Sequence, residues 1–308
     1  LIWNQGIAGI KHKLKKMRKR QSIVIACLLF SVSIFAQGGE VIREEKTYKT
    51  IDGKTLKVYV FSTAETKHKP LNPAIVFFHG GGWAYGSPSE FFGACERFAK
   101  QGFITFSCQY RLSITDDLIV PHPEITPVES VKDARSAMRW IRGNATLFNI
   151  DPGKIVAGGQ SAGGQLALST AMIENVNEAS DNLDISPIPN AILLFSSSVN
   201  MMEAWADMLL GDRREEIWSI SPHHHVKAGL PPIIAFHGTE DCTVPFWVVN
   251  SFKEKTTSLG NYFELIAIEG RKHYLGEGNE KYATYFDEEI LEKTDEFLKR
   301  FGFLNSSQ

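Results

Sequence analysis

The sequence predicts an α/β fold: a mainly parallel, twisted sheet with helices on both faces. Two observations carry this expectation. From about residue 55 onward, short apolar runs rich in Val, Ile and Phe alternate with longer segments of helical spacing, and repeated strand, helix, strand units close onto a parallel sheet. Several of the apolar runs also lack the polar alternation of a half-exposed strand, as expected where both faces of a sheet are covered.

In chain order, the predicted strands are TLKVYVF (55–61), AIVFFH (74–79), FITFSCQY (103–110), KIVAGG (154–159), AILLFS (191–196), PIIAFHG (232–238) and FELIAIEG (263–270). Helical spacing marks residues 90–102, 128–148, 162–176, 245–260 and 288–304. The first and fourth of these end near a glycine able to cap them. Two segments break the rhythm, 113–127 and 200–225. In an open parallel sheet ligands bind beyond the carboxyl ends of the strands, so these excursions are predicted pocket walls.

With 308 residues, 43% of them hydrophobic and 22% charged, the chain can bury a substantial core. Lys and Arg number 33 against 35 Asp and Glu, and a formal charge of -2 gives no field that would attract nucleic acid. Residues 11–20 are strongly basic, 22–36 apolar or small, and 37–40 turn polar, the pattern of a secretory signal peptide. The expected division is therefore 1–36 as upstream residues plus signal, with Met17 as the start and cleavage after Ala36, and 37–308 as one domain exported to the periplasm or beyond. A retained membrane anchor is disfavoured, since the apolar run falls short of the roughly 20 residues that span a bilayer. Cys95, Cys108 and Cys242 remain after cleavage; one bridge and buried free thiols both stay open, but a disulfide scaffold does not. No spacing resembles a zinc site.

The chemistry concentrates at the strand ends. Gly159-Gln160-Ser161-Ala162-Gly163 places a serine between a predicted strand and a predicted helix, the context in which G-x-S-x-G presents a nucleophile. A serine hydroxyl needs an imidazole to take its proton, and the imidazole needs a carboxylate to hold its tautomer. Asp241 follows one strand and His273 the next, in the order Ser, acid, His. Glu240 adjoins Asp241 and is the alternative acid. His237 reads as structural, and the histidines at 223–225 as ordinary loop rather than metal ligands. FFHGGGW (77–83) leaves a strand through three glycines, an oxyanion loop in which the N–H groups of Gly81 and Gly82 join that of Ala162, with His79 bracing the turn. Trp83, Tyr85 and Gln160 are candidate pocket residues; Trp83, Tyr85, Trp205, Trp218 and Trp247 are either a sugar-stacking surface or core packing.

These residues resemble the α/β-hydrolase superfamily, and within it the hormone-sensitive-lipase-like and bacterial carbohydrate-esterase-like branch. HGGGW, YRL (110–112), VKDARSAMRWIRGNA (131–145), GGQSAGG, HGTEDCTVP (237–245) and the His273 loop stand in that family's order over roughly residues 55–300. The resemblance implies a catalytic domain at 37–308 acting as a cofactor-free serine esterase on small-molecule or oligosaccharide esters, with acetyl or related groups on carbohydrates the leading substrates. Gln160 stands where the lipase-like branch often carries an acidic residue, and no large N-terminal cap is present, which disfavours lipids. A prolyl-oligopeptidase-like peptidase, an arylformamidase-like amidase and a non-catalytic binding protein are the competing readings.

Overall fold

The computed structural model describes residues 39–115, 120–276 and 287–305. The expected signal segment and its cleavage point lie outside the described residues. Strands β1 (Val41–Ile51), β2 (Lys54–Thr63), β3 (Asn72–Phe78), β4 (Ile104–Cys108), β5 (Ile150–Gln160), β6 (Ala191–Phe195), β7 (Ile233–Gly238) and β8 (Phe263–Ile268) form one sheet in the order β1-β2-β4-β3-β5-β6-β7-β8. Every pairing from β4 to β8 is parallel. The β1–β2 hairpin and its junction with β4 run antiparallel.

Among the described residues, six main helices cover the sheet: α1 (Phe92–Lys100), α2 (Pro127–Gly143), α3 (Ala162–Met172), α4 (Ala204–Leu210), α5 (Phe246–Ser258) and α6 (Glu288–Arg300). Successive strand residues point to opposite faces, and the burial divides accordingly. Val76, Phe78, Ala157, Leu194 and Ala235 pack with Val131 and Met138 of α2, Leu166 of α3 and Phe252 of α5. Ile75, Phe77, Val156, Leu193 and Phe236 pack with Ala94 and Phe98 of α1 and with Ile290 and Phe297 of α6. Each of the Val, Leu, Ile, Phe and Met side chains among these, withdrawn from water, stabilises the fold by about 1.5–3 kcal/mol.

Three features differ from the sequence reading. Strand β1 precedes the first predicted strand. The helix expected over 128–148 is two, because Asn144 ends α2, its side-chain amide donating to Trp140 O at 2.8 Å, and a separate turn spans Ala145–Phe148. The helix expected over 162–176 stops at Met172. Cys95, Cys108 and Cys242 are all free thiols, the first two buried and the third exposed. Because β3, β5, β7 and β8 are parallel, the loops at 79–86, 161, 239–245 and 269–276 emerge at one edge of the sheet.

Candidate active site

Strand β5 ends at Gln160 and α3 begins at Ala162, so Ser161 alone makes the turn, at φ 54 and ψ -120. A non-glycine residue there carries strain on the order of 1–3 kcal/mol, which the surrounding packing must hold. It does so from both sides: Ser161 N donates to Phe195 O at 3.0 Å, and Ser198 N donates to Ser161 O at 3.2 Å. Gly163 is required by proximity, since a Cβ there would lie 2.0 Å from Phe78 O.

The hydroxyl of Ser161 lies 3.0 Å from His273 Nε2, and His273 Nδ1 lies 2.8 Å from Asp241 Oδ2. A carboxylate only accepts, so the Nδ1 proton belongs to that contact and the Nε2 lone pair faces the serine. Asp241 is buried while Glu240 is exposed, and it is Asp241 whose carboxylate meets the imidazole. Its other oxygen accepts from the N–H groups of Thr243 (2.8 Å) and Val244 (2.9 Å). His237 Nε2 lies 2.7 Å from Val244 O and 3.2 Å from Asp241 Oδ2, so it braces the acid loop. Burial pushes the Asp241 carboxyl up, but the hydrogen bonds from His237 and His273 outweigh it and hold the group well below the usual carboxylate range.

The glycine loop is tied down from behind. His79 Nδ1 donates to Gly80 O at 2.8 Å, and the Tyr110 hydroxyl donates to His79 O at 2.9 Å with its ring stacked on the imidazole, centroids 4.2 Å apart. Gly81 O accepts from the N–H groups of Ala84 (3.1 Å) and Tyr85 (2.9 Å). In a trans peptide the N–H points opposite to its carbonyl. The N–H groups of Gly81 and Gly82 are thus turned away from these partners. Ala162 opens α3, where the first N–H groups have no intrahelical acceptor. Together these amides suit a developing oxyanion.

Of the candidate pocket residues, Trp83 has a left-handed backbone at φ 60 and is 2% exposed, and its indole N–H donates to Gln165 Oε1 at 2.9 Å. Gln160 is also buried, its amide nitrogen 3.3 Å from His273 Nε2, so it contacts the imidazole rather than an open pocket. Tyr85 is at the surface, 43% exposed and stacked against Trp205. Trp218 and Trp247 are exposed. The histidines at 223–225 sit in a short 3-10 turn, with His224 Nδ1 2.8 Å from Ser221 Oγ and His225 Nε2 2.9 Å from Trp218 O.

Sequence reasoning missed Glu203, and it named Tyr110 only within the YRL motif and Trp205 only as a stacking or packing residue, not for the contacts they make with the glycine loop. Tyr110 falls at the end of a predicted strand, and its position just past β4 is the signal that could have found it. Trp205 N–H donates to Gly82 O at 2.8 Å across 123 residues, which no local pattern announces. Glu203 is held by Ser198 Oγ at 3.3 Å, and burial raises its carboxyl above the ordinary glutamate value. Among the described residues no group of three or more His, Cys, Asp or Glu side chains is placed to hold a metal ion, and no helix is long and apolar enough to cross a membrane.

Comparison with known proteins matches residues 58–256 to the BD-FAE family model. Esterase LipC of Mycobacterium tuberculosis is 26% identical over 224 residues, covering 65% of this chain and 53% of that protein. A probable isoprenylcysteine alpha-carbonyl methylesterase of Arabidopsis thaliana is 25% identical over 223 residues, covering 65% of this chain and 45% of the relative. The chain therefore spans about half the length of these curated relatives. Among solved structures, native esterase 2 of the planctomycete Thermogutta terrifontis is 38% identical with a TM-score of 0.75, covering 87% of this chain and 94% of that one. With eight strands in this order, a serine at the β5 turn and a family match across most of the sheet, the chain belongs to the BD-FAE family of α/β-hydrolases.

Proposed function

We propose that the protein is a carboxylic ester hydrolase that works through Ser161, His273 and Asp241. The observation that carries this reading is the unbroken chain from Asp241 Oδ2 through the imidazole to Ser161 Oγ, at 2.8 and 3.0 Å, beside the amide-lined glycine loop. Ser161 attacks the ester carbonyl while His273 Nε2 takes its proton; Asp241 steadies the imidazolium. The N–H groups of Gly81, Gly82 and Ala162 receive the oxyanion, and collapse of the intermediate passes the proton to the departing alcohol. Water, activated by the same imidazole, then releases the acid.

The finer reading is a short acyl group on a hydroxyl-rich alcohol, with acetylated carbohydrate the leading class. Thermogutta terrifontis esterase 2 has been solved with propionate and with butyrate bound, which supports short acyl chains here. Tyr85 and Trp205, with rings 6.3 Å apart and 20° from parallel beside the glycine loop, offer an apolar face of the kind on which a sugar ring packs. The basic, apolar, polar succession of residues 11–40 supports export, where polymeric substrates are met.

A fluorophosphonate probe tests the core of the proposal. Labelling of the native protein that disappears in Ser161→Ala is the expected result; a native protein that neither labels nor hydrolyses nitrophenyl acetate would sink the esterase reading. A series of nitrophenyl esters from acetate to decanoate, run beside acetylated oligosaccharides, then tests the finer one.

A further inference from the structure

The glycine loop has one support that comes from far along the chain. Gly82 is flanked by two peptide planes. The plane before it is fixed by Gly81 O, which accepts from Ala84 and Tyr85 N–H within the same turn. The plane after it carries Gly82 O, and that oxygen accepts the indole N–H of Trp205 at 2.8 Å. Gly82 itself sits at φ 59, where a glycine left without this second hold turns readily. The approach is close: a Cβ on Gly82 would lie 2.6 Å from Trp205 Nε1. Trp205 belongs to α4, inside the excursion that leaves β6, and its ring stacks on that of Tyr85.

We infer that Trp205 is a positioning residue for the oxyanion hole: its indole N–H latches the Gly82–Trp83 peptide, so that Gly82, held between two fixed planes, keeps the backbone conformation in which its own N–H, in the plane of Gly81 O, faces the developing negative charge. The latch ties the excursion over the site to the site's electrostatics. Substrate contacts on the Tyr85–Trp205 pair then act on the residue whose N–H stabilises the transition state. The inference rests on the esterase reading for its kinetic consequence, but not for its structural one.

Trp205→Phe keeps an aromatic ring against Tyr85 and removes the donor. It should lower kcat roughly tenfold to a hundredfold, less than or equal to the loss of a whole oxyanion donor, with KM for nitrophenyl butyrate changed less than about twofold. Inhibition by a trifluoromethyl ketone, whose serine adduct carries an oxyanion, should weaken in parallel. Trp205→His restores a ring N–H while packing less surface, and should recover part of kcat relative to the Phe variant. A purely structural role predicts the reverse order, Phe above His, and unchanged inhibition; either result overturns the latch. Amide hydrogen exchange of residues 79–86 reads the latch without any substrate. Faster exchange in Trp205→Phe is expected, and exchange equal to native overturns the inference. A native protein inert towards esters would instead remove the esterase reading and leave the latch to be judged by exchange alone.

Discussion

Asp241 is held from four directions: the imidazoles of His273 and His237 on one oxygen and two backbone N–H groups on the other. An amide in its place could not accept from His273 Nδ1–H and from Thr243 and Val244 at once without turning its NH2 towards one of those donors. Asp241→Asn should therefore leave the loop folded but favour the wrong tautomer of His273, with a loss of about four decades in kcat; a loss under tenfold would mean that another group orients the imidazole. The depressed Asp241 pKa also fixes a sign. The carboxylate stays charged as the pH falls through the ordinary carboxylate range, so its ion pairing persists there and is lost only when the pH falls through its own lower value. At this scale the serine at the β5 turn was the most legible feature, because G-x-S-x-G and its flanking strand and helix are contiguous. Gln160 was legible as a position but not as a contact, since only the folded β8 exit brings His273 Nε2 to within 3.3 Å of its amide.

Among the elements, five of the six main helices and the inner strands were readable because their apolar periodicity is local, whereas α4, inside the 200–225 excursion, and the edge strand β1 were not. Its sequence, VIREEKTYKTI, pairs only with β2 at the sheet's edge and is largely polar. A register shift between Thr47 and Lys49 then turns two consecutive residues, Tyr48 and Lys49, into the interior, which defeats any alternating pattern. Helix α2 shows the opposite case. Thr126 and Glu129 form a capping box around Pro127 within a single turn, and the fold gives the same carboxylate a second, distant partner. Glu129 Oε2 also accepts from Arg213 at 2.9 Å, tying the 200–225 excursion to the helix start. Burial raises the Glu129 carboxyl, yet the hydrogen bonds from Arg213 and Thr126 win and lower it from 4.5 to about 2. The charged form is thus the stabilising one. Glu129→Gln should cost about 1–2 kcal/mol at pH 7, and the native advantage, complete above about pH 4.5, should fade as the pH falls towards about 2. Urea unfolding of both proteins across that interval checks it, and a gap that persists at the acid end would contradict the assignment.

Across the whole molecule, one buried ionic cluster joins parts that the sequence keeps apart. Asp133 of α2 is fully buried and accepts from Lys49 of β1 at 2.6 Å and from Arg111, just past β4, at 2.8 Å through both Nε and Nη2. Glu178 accepts from both cations at 2.8 Å, so two positive and two negative groups balance. No periodicity encodes such a cluster, because its members are scattered over separate strands, helices and loops. Its consequence reaches the active site, since Arg111 anchors the segment that places Tyr110 under the glycine loop, where the hydroxyl holds His79 O. Removing Asp133 alone leaves two buried cations facing one carboxylate. Asp133→Ala should cost about 3–5 kcal/mol, read as a lowered urea midpoint, and should lower kcat with it as Tyr110 loosens. Replacing the set together, with Lys49→Met, Arg111→Met, Asp133→Leu and Glu178→Leu, should restore much of the stability, because no charge is then left without a partner in a dry site. It should not restore kcat, since the backbone N–H at position 111 would still have lost the Asp133 carboxylate that it donates to at 2.9 Å. If Asp133→Ala unfolds within about 1 kcal/mol of native, the cluster is ornamental to stability; if the fourfold variant recovers full turnover, Tyr110 is held by the surrounding packing rather than through Arg111.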